Sequence, residues 1–197
     1  MNGKIKTAIE IAMERTSMIG ELTPEEKEKI ENVKKLKPLM AKFYKGKISA
    51  DGLWKSLKGS KLSLLRETQL NLVESIRLEN SHAEFEKRKK GILAIETLKE
   101  NQNMSIIEQN LNFIVDLQKR AREEKEQAYA SFKTSIERNP QAMIRTVNQG
   151  NGKAVVKLSA EDAIKQSPQW KQFLAENEKR YSQEIAKTIE KLKINIQ

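Results

Sequence analysis

The chain has 197 residues, with 37 Lys and Arg against 27 Asp and Glu and a formal charge of +10. It has no cysteine, which excludes disulfides, thiolate zinc sites and cysteine nucleophiles. At 38% hydrophobic and 32% charged, with few glycines and prolines, it points to long helices carrying narrow apolar stripes, not to a thick core.

The first stripe lies in Lys4–Ile19, where Ile5, Ile9, Ala12 and Met13 recur at helical spacing and Gly20 marks a stop. Glu10, Glu14 and Arg15 interrupt it, so it is not a secretory signal. Thr23, Pro24 and Glu26 then form a capping box with proline at the first helical position. The next stripe is Ile30, Val33, Leu36, Met40 and Phe43, with a kink or break expected near Lys37 because Pro38 lacks an N–H. Gly46 ends it. A short helix over Ala50–Lys58 is capped by Ser49 and stopped by Gly59.

From Lys61 the pattern lengthens, with Leu62, Leu65, Leu72 and Ile76 on one face. It fades toward Ser81-His82-Ala83-Glu84, which either restarts a helix or lies within a continuous one, and Phe85, Ile92, Ile95 and Leu98 carry it on. After the weak stretch ENQNMS, Ser105 and Glu108 form a further capping-box pattern. The longest stripe follows: Ile107, Leu111, Ile114, Leu117, Ala121, Ala128, Phe132 and Ile136. Pro140 ends it. Ala142–Val147 and Lys153–Leu158 are rich in β-branched residues and flank NQGNG, which reads as a β-hairpin. Ser159 starts a short helix. Ser167-Pro168 starts the last one, with Trp170, Leu174, Tyr181, Ile185, Ile189 and Leu192 as its stripe.

The glycines of NQGNG raise the question of a phosphate loop. A Walker loop ending at Gly152-Lys153 needs a glycine where Val147 stands and a hydroxyl where Ala154 stands. A strand follows instead of a helix, so no helix N-terminus faces a phosphate. The glycines serve a turn.

Catalytic chemistry is hard to assemble. His82, the only histidine, falls among charged residues at a helix start, and paired-histidine metal sites are excluded. Glu123, Glu124 and Glu126 sit in lysine–glutamate mixtures that read as a solvated helix face. The uneven feature is charge. Residues 27–58 hold ten lysines against Glu28, Glu31 and Asp51, interleaved with Phe43, Tyr44 and Trp54. Lys34, Lys35, Lys37, Lys42, Lys45, Lys47, Lys55 and Lys58 are candidate contacts for nucleic acid or another polyanion. The absence of arginine there argues against reading of base edges.

The segments TAIEIAMERT, ADGLWKSLKG, LLRETQL, KGILAIETLKE, REEKEQAYASFK and SPQWKQFLAENEKRYS cover most of the chain. They resemble an uncharacterised family of bacterial helical proteins of unknown function, a likeness that implies no activity or site. The helix–hairpin–helix order also resembles the layout of prefoldin-like holdases, in arrangement only.

The sequence therefore predicts a mainly all-α protein. It comprises a basic helical region over 1–59, one or more connecting helices over 60–104, and an antiparallel helix–β-hairpin–helix coiled coil over 105–197, with the β-hairpin near 142–158. Thin stripes bury little area within one chain, so a homodimer is favoured, with Ile114, Ala121, Phe132, Trp170, Tyr181 and Ile185 as self-association residues. The expected role is a non-enzymatic scaffold, adaptor or holdase, with polyanion binding as the alternative. No cofactor, metal or membrane is implied, since no apolar stretch approaches about 20 residues, and a cytoplasmic location is expected.

Overall fold

The computed structural model describes residues 23–149 and 152–196. The Lys4–Ile19 stripe and its Gly20 stop lie outside them. The chain divides into two compact units, 1–47 and 48–197.

In the first unit, α1 spans Pro24–Tyr44. The Thr23–Glu26 capping box forms in both directions, at 3.2 Å to the Glu26 N–H and 2.8 Å from the Thr23 N–H. The chain does not break at Pro38, and α1 continues through it. Pro38 and Lys34 both lie on the exposed face, so the carbonyl that loses its partner is on the side water reaches. Leu36, Met40 and Phe43 are buried, whereas Ile30 and Val33 are exposed and Asn32 is buried. Gly46, at φ 74°, closes the helix. Its N–H donates to the Phe43 carbonyl and that of Lys47 to the Lys42 carbonyl, the paired bonds of a Schellman stop.

The second unit holds α2 (Ala50–Leu57), α3 (Leu62–Glu74), α4 (His82–Glu96), α5 (Met104–Arg138), a 3-10 turn (Pro140–Met143), β1 (Ile144–Gln149), β2 (Gly152–Lys157), α6 (Ala160–Gln166) and α7 (Pro168–Ile196). α2 belongs with these helices, not with α1. Ser49, Ser81 and Ser159 cap their helices with side-chain acceptors, as the sequence predicts. The Ser81–Glu84 box is complete, so the chain breaks there into two helices. The Ser105–Glu108 box does not form, because the cap position falls two residues earlier, at Asn103, and α5 begins at Met104.

α5 and α7 pair along their length in opposite directions. Asn103, just before α5, bonds Asn195 near the end of α7, Glu124 meets Asn177 and Tyr181, and Tyr129 meets Trp170. α2 and α3 pack on α4, α3 also packs on α7, and α4 on α5. The core of this half is Leu53, Leu57, Leu72, Phe85, Ile92, Ile95, Ile107 and Leu111, each shut from solvent. Leu65 and Ile76 are buried as expected, while Leu62 is exposed.

One buried charge ties these helices together. Glu96 is 0% exposed, yet its carboxylate accepts from the Gln69 amide (2.8 Å) on α3, the Asn103 backbone N–H (2.7 Å) and Lys99 (2.9 Å). Lys99 is itself buried and also donates to the Ile196 carbonyl at 3.0 Å. Burial alone drives the Glu96 pKa upward, but the bonds from Asn103, Gln69 and Lys99 outweigh it and hold the value below the ordinary glutamate range.

Glu96→Ala strands Lys99 as a buried unpaired charge and should cost about 3–5 kcal/mol in chemical denaturation. Because the folded pKa is depressed, the contribution of Glu96 is complete above the unfolded value of about 4.3 and is lost as pH falls toward the folded value. Glu96→Gln should flatten that acid limb; an unchanged limb assigns it to other carboxylates.

Candidate interaction surface at the hairpin tip

The seam residues assigned from sequence to self-association turn inward within one chain. Ile114, Ala121, Trp170, Tyr181 and Ile185 are buried, and Phe132 is half-buried. The stripes of α5 and α7 cover each other instead of leaving an open apolar strip, and this explains how so thin a seam is satisfied.

Midway along, the seam carries a polar clasp that sequence reasoning missed. Glu124, read as a solvated surface residue, accepts from Tyr181 (2.6 Å) and Asn177 (3.3 Å) and pairs with Arg180. Arg180 lies over the Tyr181 ring, 4.8 Å from its centroid. Burial and the adjacent Glu124 carboxylate push the Tyr181 pKa up. The lysine–glutamate run around Glu124 masks this role. The available signal was Glu124 falling three residues after Ala121 on the inner stripe, at a position where a tyrosine on the facing helix reaches it.

Toward the tip, the packing becomes aromatic. Trp170 is buried between Tyr129 and Phe132, both edge-on at 5.6 and 5.5 Å, and stacks on Phe173 at 5.6 Å. Ile136, Ala163 and Ile164 complete this small core, with Met143 and Leu158 packed on its margin. Met143 and Leu158 stand at the two roots of the ribbon, where the Leu158 N–H donates to the Met143 carbonyl at 2.7 Å. The aromatic core therefore anchors the ribbon's base.

The ribbon pairs antiparallel from Ile144–Lys157 to Gln149–Gly152, further into NQGNG than the sequence predicts. It is a sheet of two strands, so each strand keeps one edge unpaired among the described residues. Ile144, Val155 and Val156 are exposed, Val155 at 70%. Arg145 and Lys157 are exposed beside them. Between Glu137 and Glu161 the chain carries Arg138, Arg145, Lys153 and Lys157 and no acid.

The basic candidates are all exposed, but they fall in both units. Lys34, Lys35, Lys37, Lys42, Lys45 and Lys47 belong to the first, while Lys55 and Lys58 belong to the second. On α1 the lysines lie away from the buried face of Leu36, Met40 and Phe43. Phe43 is fully buried, which removes it from base stacking, and Trp54 is half-buried, donating to Thr97 (3.0 Å) with the Lys58 ammonium 5.2 Å from its ring. His82 is exposed at the first position of α4. Among the described residues no group of three or more His, Asp or Glu is placed to hold a metal ion, and no helix is long and apolar enough to cross a membrane.

The model of a protein family described only as a family of unknown function, DUF6657, matches residues 52–194. No curated protein and no solved structure matches the chain.

Glu124→Gln removes the negative charge beside the Tyr181 hydroxyl and should lower the Tyr181 ionisation midpoint in an alkaline absorbance titration. A midpoint that stays put would leave burial as the sole cause.

Proposed function

The chain belongs to the family of unknown function DUF6657, and we propose that it acts without catalysis, as a scaffold, adaptor or holdase whose hairpin presents a β-ribbon to an extended acidic segment of a partner protein. The observation that carries this reading is the ribbon that pairs only with itself among the described residues. A lone two-stranded ribbon is marginal in water, and its edges are templates for strand addition. Its side chains point to the partner's chemistry. Exposed Val155, Val156 and Ile144 offer apolar contact, and the run from Arg138 to Ala160 offers only positive charge. Two copies of the ribbon set like charges against each other, whereas an acidic strand complements them. Self-association of the chain is then the rival outcome, read from solution mass.

A second reading, binding of nucleic acid or another polyanion, is supported by the exposed lysines of α1. It requires affinity for DNA or RNA that falls by roughly a thousandfold between 50 and 200 mM salt, as expected for about six phosphate contacts. Indifference to salt, or no binding at low salt, removes it.

The ribbon reading is tested by hydrogen exchange of the full chain with a synthetic peptide of alternating Val and Glu. Amides of 144–157 should slow by about tenfold or more, and the effect should vanish for a Val/Lys peptide and in R145E/K157E. Equal protection by both peptides, or none, overturns the proposal. Protection that appears without peptide as protein concentration rises assigns the edge to a second copy instead.

A further inference from the structure

At the opposite end of the hairpin from the ribbon, a cleft of about 410 Å³ opens between the start of α3 and the junction of α4 with α5. That size suits a small molecule more than a single ion. Leu62, Leu65, Leu98 and Ile196 form its apolar wall, and Arg66 brings a cation to it beside Lys99, whose charge Glu96 balances at 2.9 Å. Arg66 is half-buried, and its Nε is shut from solvent with no hydrogen-bond partner. The guanidinium carries further N–H donors beyond Nε, and an oxyanion entering the cleft offers them an acceptor. Lys99 is 7% exposed and has three donors, of which Glu96 and the Ile196 carbonyl engage two. Glu100, the one acidic side chain on the wall among the described residues, is exposed, where water screens it.

We propose that this cleft binds a small amphipathic oxyanion. Its carboxylate or phosphate head accepts from Arg66 and Lys99, and a short hydrocarbon part rests on Leu62, Leu65, Leu98 and Ile196. Charge-assisted bonds to a guanidinium suit an oxyanion better than a neutral carbonyl. The apolar wall separates this ligand from simple inorganic ions. The site is independent of the ribbon and of what the ribbon pairs with.

The test measures thermal melting and titration calorimetry of the full chain with hexanoate and hexyl phosphate, alongside inorganic phosphate and hexanol. At least one hexyl anion should raise Tm saturably, and the tighter of the two names the head group. Arg66→Met should weaken that binding by about tenfold or more, and Arg66→Lys, which keeps the charge and loses the fork, by less. Without ligand, R66M should melt no lower than the unaltered chain, since it removes an unmet buried donor. A K42Q/K45Q variant, altered only on α1, should bind normally. The site is overturned if hexanol matches the anions or if neither hexyl anion binds. It also fails if inorganic phosphate equals hexyl phosphate, if R66M retains affinity, or if K42Q/K45Q abolishes it.

Discussion

A single buried carboxylate, that of Glu96, draws hydrogen bonds from α3, from the turn after α4 and from the entry to α5, and through Lys99 it reaches the last turn of α7. An ion pair in so dry a place holds because close hydrogen-bond partners offset the cost of burying its charges. Its worth is therefore positional. Hydrophobic contact alone tells Leu72 or Ile92 to be inside but permits many near-equivalent packings. Glu96 accepts one arrangement of four chain segments, and the long hairpin starts from it.

Along that hairpin the kind of contact changes with distance from the base. First come aliphatic residues under the cover of α3 and α4, then the Glu124 clasp where α5 and α7 continue as a pair, then the aromatic cluster around Trp170. A two-helix stretch offers each side chain few neighbours, so bulk must replace number. Tyr129, Phe132, Trp170 and Phe173 do this where Leu and Ile suffice nearer the base. Ile114, Trp170 and Ile185 are accordingly buried within the one chain.

The elements were legible in the sequence wherever a local rule sets them. Thr23, Ser49, Ser81 and Ser159 cap because their oxygens reach the N–H three residues on, whatever the tertiary fold. Gly46 and Gly59 stop helices because they tolerate positive φ. The family resemblance, too, rested on contiguous segments. What escaped depends on partners distant in the chain. Asn103 takes the cap position from Ser105, its own backbone N–H being claimed by Glu96 seven residues earlier and its amide by Asn195 far along the chain. Glu124 looks like its wet neighbours until Tyr181 is placed opposite. Arg66 and Lys99 are ordinary cations in a lysine-rich chain until a cleft joins them.

The Glu124 clasp has a consequence for how the hairpin can change length. With Glu96 fixing one end and Trp170 the other, the clasp sets the phase of the two helices between them. A residue gained or lost in α5 alone rotates everything beyond it by about 100° and carries Glu124 off the Tyr181 side. Whole heptads added or removed in both helices together keep the phase. A matched heptad in both helices changes the reach by about 10 Å while leaving the clasp in register.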